Sequence, residues 1–299
     1  MRTLRIGTRR SRLAVAQSRE VAGLLSALGV STELIPMVTE GDRGASAAAS
    51  PQGVKGLFVA EIVRALQDGE VDIAVHSAKY LPAGDPDGVV VAAVPERSDP
   101  FDVLVTRNGE LSPGGVVGTS SLRRTAQLLR LDPALQVRGI RGNVDTRLAK
   151  LDAGEVDGLV LAAAGLRRLG FARPHAVPYP LQDMVPAPGQ GALAVQARGG
   201  DGEILVVVER LEHPPSRAAF EAERGLVARV GGGCALPLGA YAEQRDEAVR
   251  LFAVVVRPDG SDLVWSQAEA PTPEEAAEEA ATTLLAGGAG EILAETGGA

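Results

Sequence analysis

Eight arginines fall within one stretch of the chain, at positions 123, 124, 130, 138, 141, 147, 167 and 168, although the whole protein carries a formal charge of −8. Guanidinium groups are planar donors whose paired N–H bonds match carboxylates and phosphates, so such a concentration in an acidic chain points to a local anion site. Their placement sharpens this reading. Gly118-Thr119-Ser120-Ser121 follows Val116-Val117 and precedes LRRTAQLL, which predicts a strand end, a tight turn and a hydroxyl N-cap opening a helix with Arg123 and Arg124 in its first turn. LQVRGI followed by VDTRLAKL predicts the same device again, with Arg141-Gly142 at the turn and Arg147 on the new helix, and Thr8-Arg9-Arg10-Ser11 predicts it a third time near the start. Strand-turn-helix units of this kind bring their turns to one sheet edge, where helix N-termini and arginines face one polyanionic ligand. A solvated basic face is the competing reading; the turn positions favour a site.

The elements that must position these groups follow from pattern. Thr3 to Gly7, Ser31 to Val38, Asp72 to His76, Val89 to Val94 and Ala192 to Ala197 read as strands, and Ser11 to Leu28 and Leu57 to Gly69 as helices. A long small-residue loop, TEGDRGASAAASPQGVKG, lies between the second strand and second helix and ends at Lys55-Gly56; loops of this length are commonly lids or disordered. Pro95 to Asp102 is expected to cross into a second unit. The tail changes character: Gly239 to Glu243, Val249 to Arg257 and Asp262 to Gln267 alternate as antiparallel strands, followed by an Ala/Glu-rich helix from Thr272 to Leu285. The expected fold class is α/β, with two lobes like those of periplasmic solute-binding proteins, a central cleft and a small α+β C-terminal domain. Residues 1–97 with 197–214 would form the first lobe, 98–196 the second, arginine-rich lobe and 215–299 the last domain, with hinges near Pro95 to Pro100 and Ala197 to Gly200.

Composition narrows the function. The 299 residues are 45% hydrophobic and 23% charged, an ordinary globular balance, and the net negative charge argues against general nucleic-acid binding. No apolar run is long enough for a membrane span, and the basic start reads as the first strand of the fold, so a cytoplasmic monomer is expected. A single cysteine, Cys234, excludes an internal disulfide, and the three histidines sit at no metal-ligand spacing, so no metal is expected. Cys234 follows three glycines and precedes Ala-Leu-Pro-Leu-Gly. From its setting alone it is either an inert small hydrophobe or an ionisable loop thiol near arginines.

The segments IGTRRSRLAVAQ, KGLFVAEI, DIAVHSAKYLP, GTSSLRRTAQLL, RGNVDTRLAKLD, LAAAGLRRLG, PAPGQGALAVQAR and AERGLVARVGGGCALPLGAYA, in that order, resemble the porphobilinogen deaminase (hydroxymethylbilane synthase) family over almost the whole chain. The resemblance implies an enzyme of heme biosynthesis that joins four porphobilinogen units head to tail into linear hydroxymethylbilane, releasing ammonia. It implies a dipyrromethane cofactor, held by a thioether to Cys234, that primes the reaction and stays attached. It assigns Cys234, Ser77, Lys79, Thr119, Ser120, Ser121, Arg123, Arg124, Arg141 and Gly142 to the cofactor. Porphobilinogen and its oligomers fall to Arg9, Ser11, Lys55, Arg141, Arg147 and Arg168, and catalysis to Lys79, Arg9, Arg123, Arg141, Arg147, Gln190 and position 80. Lys55 would belong to a lid over the cleft.

Position 80 departs from the pattern. The family motif carries aspartate after the lysine, and here Tyr80 follows Lys79. A phenol has a reference pKa of about 10 and stays neutral where a carboxylate would stabilise developing positive charge, so turnover is expected to be impaired. Asp85 or Asp87 taking over the role, or a noncatalytic relative, are the alternatives. A second departure is Phe101, where the family often has a basic residue. From another class, the alternative function is a two-lobed anion-binding protein without chemistry.

Overall fold

The computed structural model describes residues 2–37, 53–231 and 236–296, and of 53–59 the backbone alone. The chain begins with β1 (Leu4–Arg9), α1 (Arg12–Ala27), β2 (Thr32–Met37), α2 (Gly53–Gln67), β3 (Ile73–Ser77), a 3-10 turn at Ala78–Tyr80, and β4 (Val89–Ala93). It crosses to β5 (Asp102–Thr106), β6 (Val116–Gly118), α3 (Leu122–Leu131), β7 (Gln136–Arg138), α4 (Val144–Asp152), β8 (Gly158–Ala162), α5 (Ala163–Arg168) and β9 (Ala176–Pro178), then returns as β10 (Leu193–Arg198). The sheets are ordered β2-β1-β3-β10-β4 and β7-β6-β8-β5-β9. In each, three parallel strands are followed by an antiparallel one, β10 against β3 and β5 against β8. Two α/β lobes thus share one strand order, and each contains a strand that has just arrived from the other lobe.

This exchange corrects two expectations. β10 pairs with β3 from Leu193 onward, so the first sheet takes the chain back before residue 197. Ala197 is held between Ile73 and Val90 inside that sheet, and Gly199 N–H donates to the Gly88 carbonyl, so 197–200 is sheet margin and not a crossing. The return crossing runs instead through 179–192. Six elements were also missed: β5, β8, α5, β9, α6 (Gly202–Val208) and the final α9 (Ala289–Glu295). β5 and β9 are short strands beside prolines, and α6 and α9 span only two turns, too short for periodicity to register. α2 starts at Gly53, four residues earlier than its apolar pattern suggested.

The central strands are buried on both faces, as parallel sheets covered by helices require. Leu193, Val195 and Ala197 of β10 join Leu4, Ile6, Val21 and Leu25 on one side of the first sheet, while Ala192 and Ala194 join Ile62, Leu66 and Val71 on the other. Beyond α6 the chain forms α7 (Pro214–Arg229), β11 (Leu238–Arg245), β12 (Ala248–Val256), β13 (Leu263–Ala270) and α8 (Pro273–Ala286) before α9. The three strands form an antiparallel meander. One face buries Ala219, Ala222 and Leu226 of α7 with Ala276, Ala277, Ala280 and Leu284 of α8, where the alanines allow close helix approach. The other presents Val254 and Val256 to Ala126 of α3 and to Val185 on the return crossing. The C-terminal unit is therefore seated on the second lobe, with the crossing beneath it.

Candidate active site

The three arginine-bearing turns lie at the carboxyl ends of parallel strands, as their patterns predicted. Ser11 caps α1, its Oγ accepting from Ala14 N at 3.3 Å, and Ser121 caps α3, accepting from Arg124 N at 3.5 Å. The other hydroxyls serve the turn itself. Thr119 Oγ1 accepts from Ser121 N at 3.2 Å, and Ser120 Oγ donates to the Ile140 carbonyl at 2.7 Å, tying the β6 turn to the β7 turn. At that second turn Gly142 has φ of 117°, and a Cβ there would meet the Thr146 side chain at 2.8 Å; Arg147 Nε donates to the Gly142 carbonyl at 2.8 Å. Arg141 is exposed at the same turn. The remaining arginines of the cluster divide: Arg138 reaches the Glu155 carbonyl on an exposed face, and Arg130 and Arg167 are exposed, the solvated fate that the competing reading assigned to all of them.

Arg123 and Arg124 point inward, and what holds them was absent from the sequence-based site. Asp102, the first residue of β5, is fully buried. It takes Arg123 Nη1 at 2.7 Å, Arg124 Nη2 at 2.7 Å and Nε at 3.0 Å, and Gln190 Nε2 at 2.9 Å. Burial opposes its charge, but the two guanidiniums and the Gln190 amide outweigh that and hold the carboxyl well below the usual carboxylate range. Both arginines are further fixed to carbonyls, Arg123 to Val185 at 2.8 Å and Arg124 to Val160 at 2.9 Å. Arg123 Nε is buried and has no hydrogen-bond partner among the described residues. Two guanidiniums on one carboxylate leave a net positive charge in a desolvated place. Burial first, and then the Arg124 charge, push the Arg147 pKa down, which marks the same excess of cations.

Gln190 links this hub to the first lobe. Its Nε2 also donates to the Pro100 carbonyl at 2.8 Å, and its Oε1 accepts from Lys79 Nζ at 3.4 Å. Lys79 lies 5.3 Å from the centre of the Tyr80 ring, and Tyr80 is near Arg147. Lys79, Tyr80, Gln190, Arg123, Arg124 and Arg147 therefore converge from both lobes on one place. Ser77, half-buried at the end of β3, leads into the turn that carries Lys79. Arg168 is drawn off by Glu20, at 2.8 Å, and by the Gly191 carbonyl at 3.1 Å. Asp85 is engaged by Arg224 at 2.8 Å and is thereby turned toward α7, away from any role as a substitute carboxylate. Arg9 is half-buried beside Ser11. Cys234 and the long loop before Gly53 lie outside the described residues, as does the side chain of Lys55.

A family model for the porphobilinogen deaminase dipyromethane cofactor binding domain matches residues 4–206, and one for the porphobilinogen deaminase C-terminal domain matches 218–286. The chain belongs to the porphobilinogen deaminase family. It is 48% identical to the porphobilinogen deaminase of Desulforudis audaxviator (strain MP104C) over 97% of this chain and 96% of that one. Identity to the Brevibacillus brevis (strain 47) enzyme is 43%, again over 97% and 96%. Among solved structures, an ancestral cationic amino acid solute binding protein aligns at TM-score 0.40 and 19% identity over 70% of this chain and 87% of its own, a likeness too loose to decide anything.

Three supports of this site were not found from sequence. Asp102 was read as part of a crossing. Arg97 and Glu223 were passed over, yet Arg97 Nη1 meets Glu223 Oε1 at 2.7 Å, and the glutamate also takes the Gly189 and Ala242 N–H groups. The only available signal was an acid placed directly after an aromatic residue at the start of an apolar run, and that does not distinguish a buried anchor from a surface aspartate. Phe101 has an apolar role here, packing 5.6 Å from Tyr241 of the C-terminal unit.

Proposed function

We propose that this chain polymerises porphobilinogen into linear hydroxymethylbilane with release of ammonia, in tetrapyrrole biosynthesis, from a dipyrromethane tethered to Cys234. The convergence of Lys79, Arg123, Arg124 and Arg147 around the Asp102 hub carries this reading, since a desolvated excess of guanidinium charge suits a ligand bearing several carboxylates. The donor set fits a dipyrromethane: its acetate and propionate groups would be taken by Arg123, Arg124, Ser121 and Arg141, with Thr119, Ser120, Ser77 and Gly142 shaping the turns that hold them. When bound, that group supplies the nucleophilic pyrrole carbon to which each unit is joined.

The protein's own residues bind, orient and neutralise. Arg9, Ser11, Arg147 and Arg168 would receive the carboxylates of incoming porphobilinogen, and Lys55 would approach with the loop that precedes α2. Asp102 fixes the guanidinium planes before any ligand arrives, which lowers the ordering cost of binding. Tyr80 occupies the place where the family carries its catalytic carboxylate. A neutral phenol there does not supply the stabilisation that a carboxylate would give to positive charge developing as ammonia departs. Slow turnover with intact binding is the consequence. The lobes, about 2–93 with 193–213 and 102–178, would adjust across the crossings at 94–101 and 179–192 while residues 215–299 present the cysteine. A cytoplasmic monomer is consistent with this; no helix among the described residues is long and apolar enough to cross a membrane.

Intact mass measurement of the purified protein tests the proposal. Two linked pyrroles on Cys234, lost in Cys234→Ala, support it. A bare thiol in protein made by cells supplied with porphobilinogen overturns it and leaves an anion-binding protein.

A further inference from the structure

The sequence holds two asparagines, Asn108 and Asn143, and they stand in opposite surroundings. Asn143 is the N-cap of α4, followed by the β-branched Val144 as the first residue of that helix. Asn108 is followed by Gly109 in an exposed bend that leaves the end of β5. Asparagine is chemically labile where its side-chain carbonyl carbon can be reached by the amide nitrogen of the next residue, closing a five-membered ring. A side chain on that next residue obstructs the attack. Gly109 has none, and a Cβ there would meet His175 Nδ1 at 3.1 Å, so packing keeps the position bare. One restraint opposes the reaction. Gly109 N–H donates to Thr106 Oγ1 at 2.9 Å, and Thr106 is buried at the end of β5, so the attacking nitrogen is tied back to the strand it follows.

We propose that Asn108 is a self-modification site that deamidates through Gly109, and that the Thr106 hydroxyl sets its rate. The Gly109 nitrogen gives up its proton and bonds to Asn108 Cγ, the Cγ–Nδ2 bond breaks, and ammonia leaves with that proton. Water then opens the succinimide at either carbonyl, giving aspartate or isoaspartate at position 108. Water enters and ammonia leaves, so no oxidant or other reactant is consumed. The new carboxylate stands next to Arg107, which pairs with Asp157 at 3.5 Å, and it offers that arginine a second anion. Isoaspartate also adds a carbon to the backbone ahead of Gly109, which strains the bond to Thr106. β5 runs from Asp102 in the arginine hub to Thr106, about 13 Å along the strand, so the change falls on the far edge of the second sheet. It adds negative charge as the molecule ages and leaves the central site as it was.

The test is peptide mass mapping of the full-length protein, fresh and aged at mildly alkaline pH without porphobilinogen, with isoaspartate counted by enzymatic methylation. The expected result is the mass gain of NH₂ replaced by OH, with isoaspartate, in the peptide containing Asn108 and no gain in the one containing Asn143. Thr106→Val should speed the gain about fivefold, the worth of one released hydrogen bond, while Thr106→Ser keeps the hydroxyl and should age at the parental rate. Asn108→Gln should stay unmodified. No gain at Asn108 in the aged native protein, under conditions where the urea-unfolded chain shows it, overturns the site, as does an equal gain at Asn143. A Thr106→Val rate equal to the parent's, or a Thr106→Ser rate as high as that of Thr106→Val, overturns the role of the hydroxyl. Asn108→Asp should consume porphobilinogen at the parental rate, and a slower rate would overturn the separation of this bend from the central site.

Discussion

At the scale of single residues, charge placement dominates. Tyr80 is the clearest case: it stands beside Lys79 and near Arg147, where a neutral phenol cannot do what a carboxylate would. Tyr80→Asp should raise the rate of porphobilinogen consumption by about a hundredfold, the usual worth of one preorganised group at developing charge, with little change in KM. Equal rates would remove position 80 from the mechanism. His76 makes a different prediction, about stability. It is buried on β3, where desolvation, only partly offset by the neighbouring Gln196 amide, pushes its pKa down to about 4. The unfolded chain takes up that proton near pH 6.5 and the native protein does not, so stability is complete above that pH and falls as pH drops toward 4. Urea unfolding at pH 7 and pH 5 should show a loss of about 2 kcal/mol in the parent, and a clearly smaller one in His76→Gln.

At the scale of elements, the turns were legible and their anchors were not. Hydroxyl caps at Ser11 and Ser121 follow from local chemistry, because an N-cap needs only its own helix to be recognised. Asp102, Arg97 and Glu223 act across 22, 126 and 34 residues of chain, and no periodicity encodes such a partnership. The same reason hid β10's membership of the first sheet, since pairing with β3 is settled by the crossing and not by the strand's own residues. The return crossing is the tightest of these joints. Gly189 adopts φ of 71°, and a Cβ there would sit 2.8 Å from the Ala78 carbonyl carbon and Lys79 nitrogen, while its N–H is committed to Glu223. Gly189→Ala should therefore cost about 2–3 kcal/mol and displace the Lys79 turn, lowering both the unfolding midpoint and the cofactor-loaded fraction read by mass. A fully loaded variant of parental stability would show that this backbone approach does not position Lys79.

At the scale of the molecule, two lobes and a third unit meet through polar contacts of unequal strength. The C-terminal unit is bound deeply: the Arg97–Glu223 pair is almost wholly buried, and Arg224 adds bonds to the Pro82 carbonyl and Asp85. Such contacts are weakly screened and resist separation. Between the lobes, by contrast, Arg12–Asp145 is exposed and Arg168–Glu20 is exposed on its acidic side. Exposed pairs contribute at most about 1 kcal/mol each and fade with salt, so the cleft is held by contacts that a carboxylate ligand can outcompete. The C-terminal unit should then stay docked while the lobes part. Small-angle scattering of the Glu20→Gln, Asp145→Asn double variant should give a larger radius of gyration than the parent in low salt. The parent should approach that value in about 0.5 M salt, where screening extends over only a few ångströms. A parent radius unchanged by salt and by both substitutions would mean that the crossings themselves, and not the ion pairs, fix the distance between the lobes.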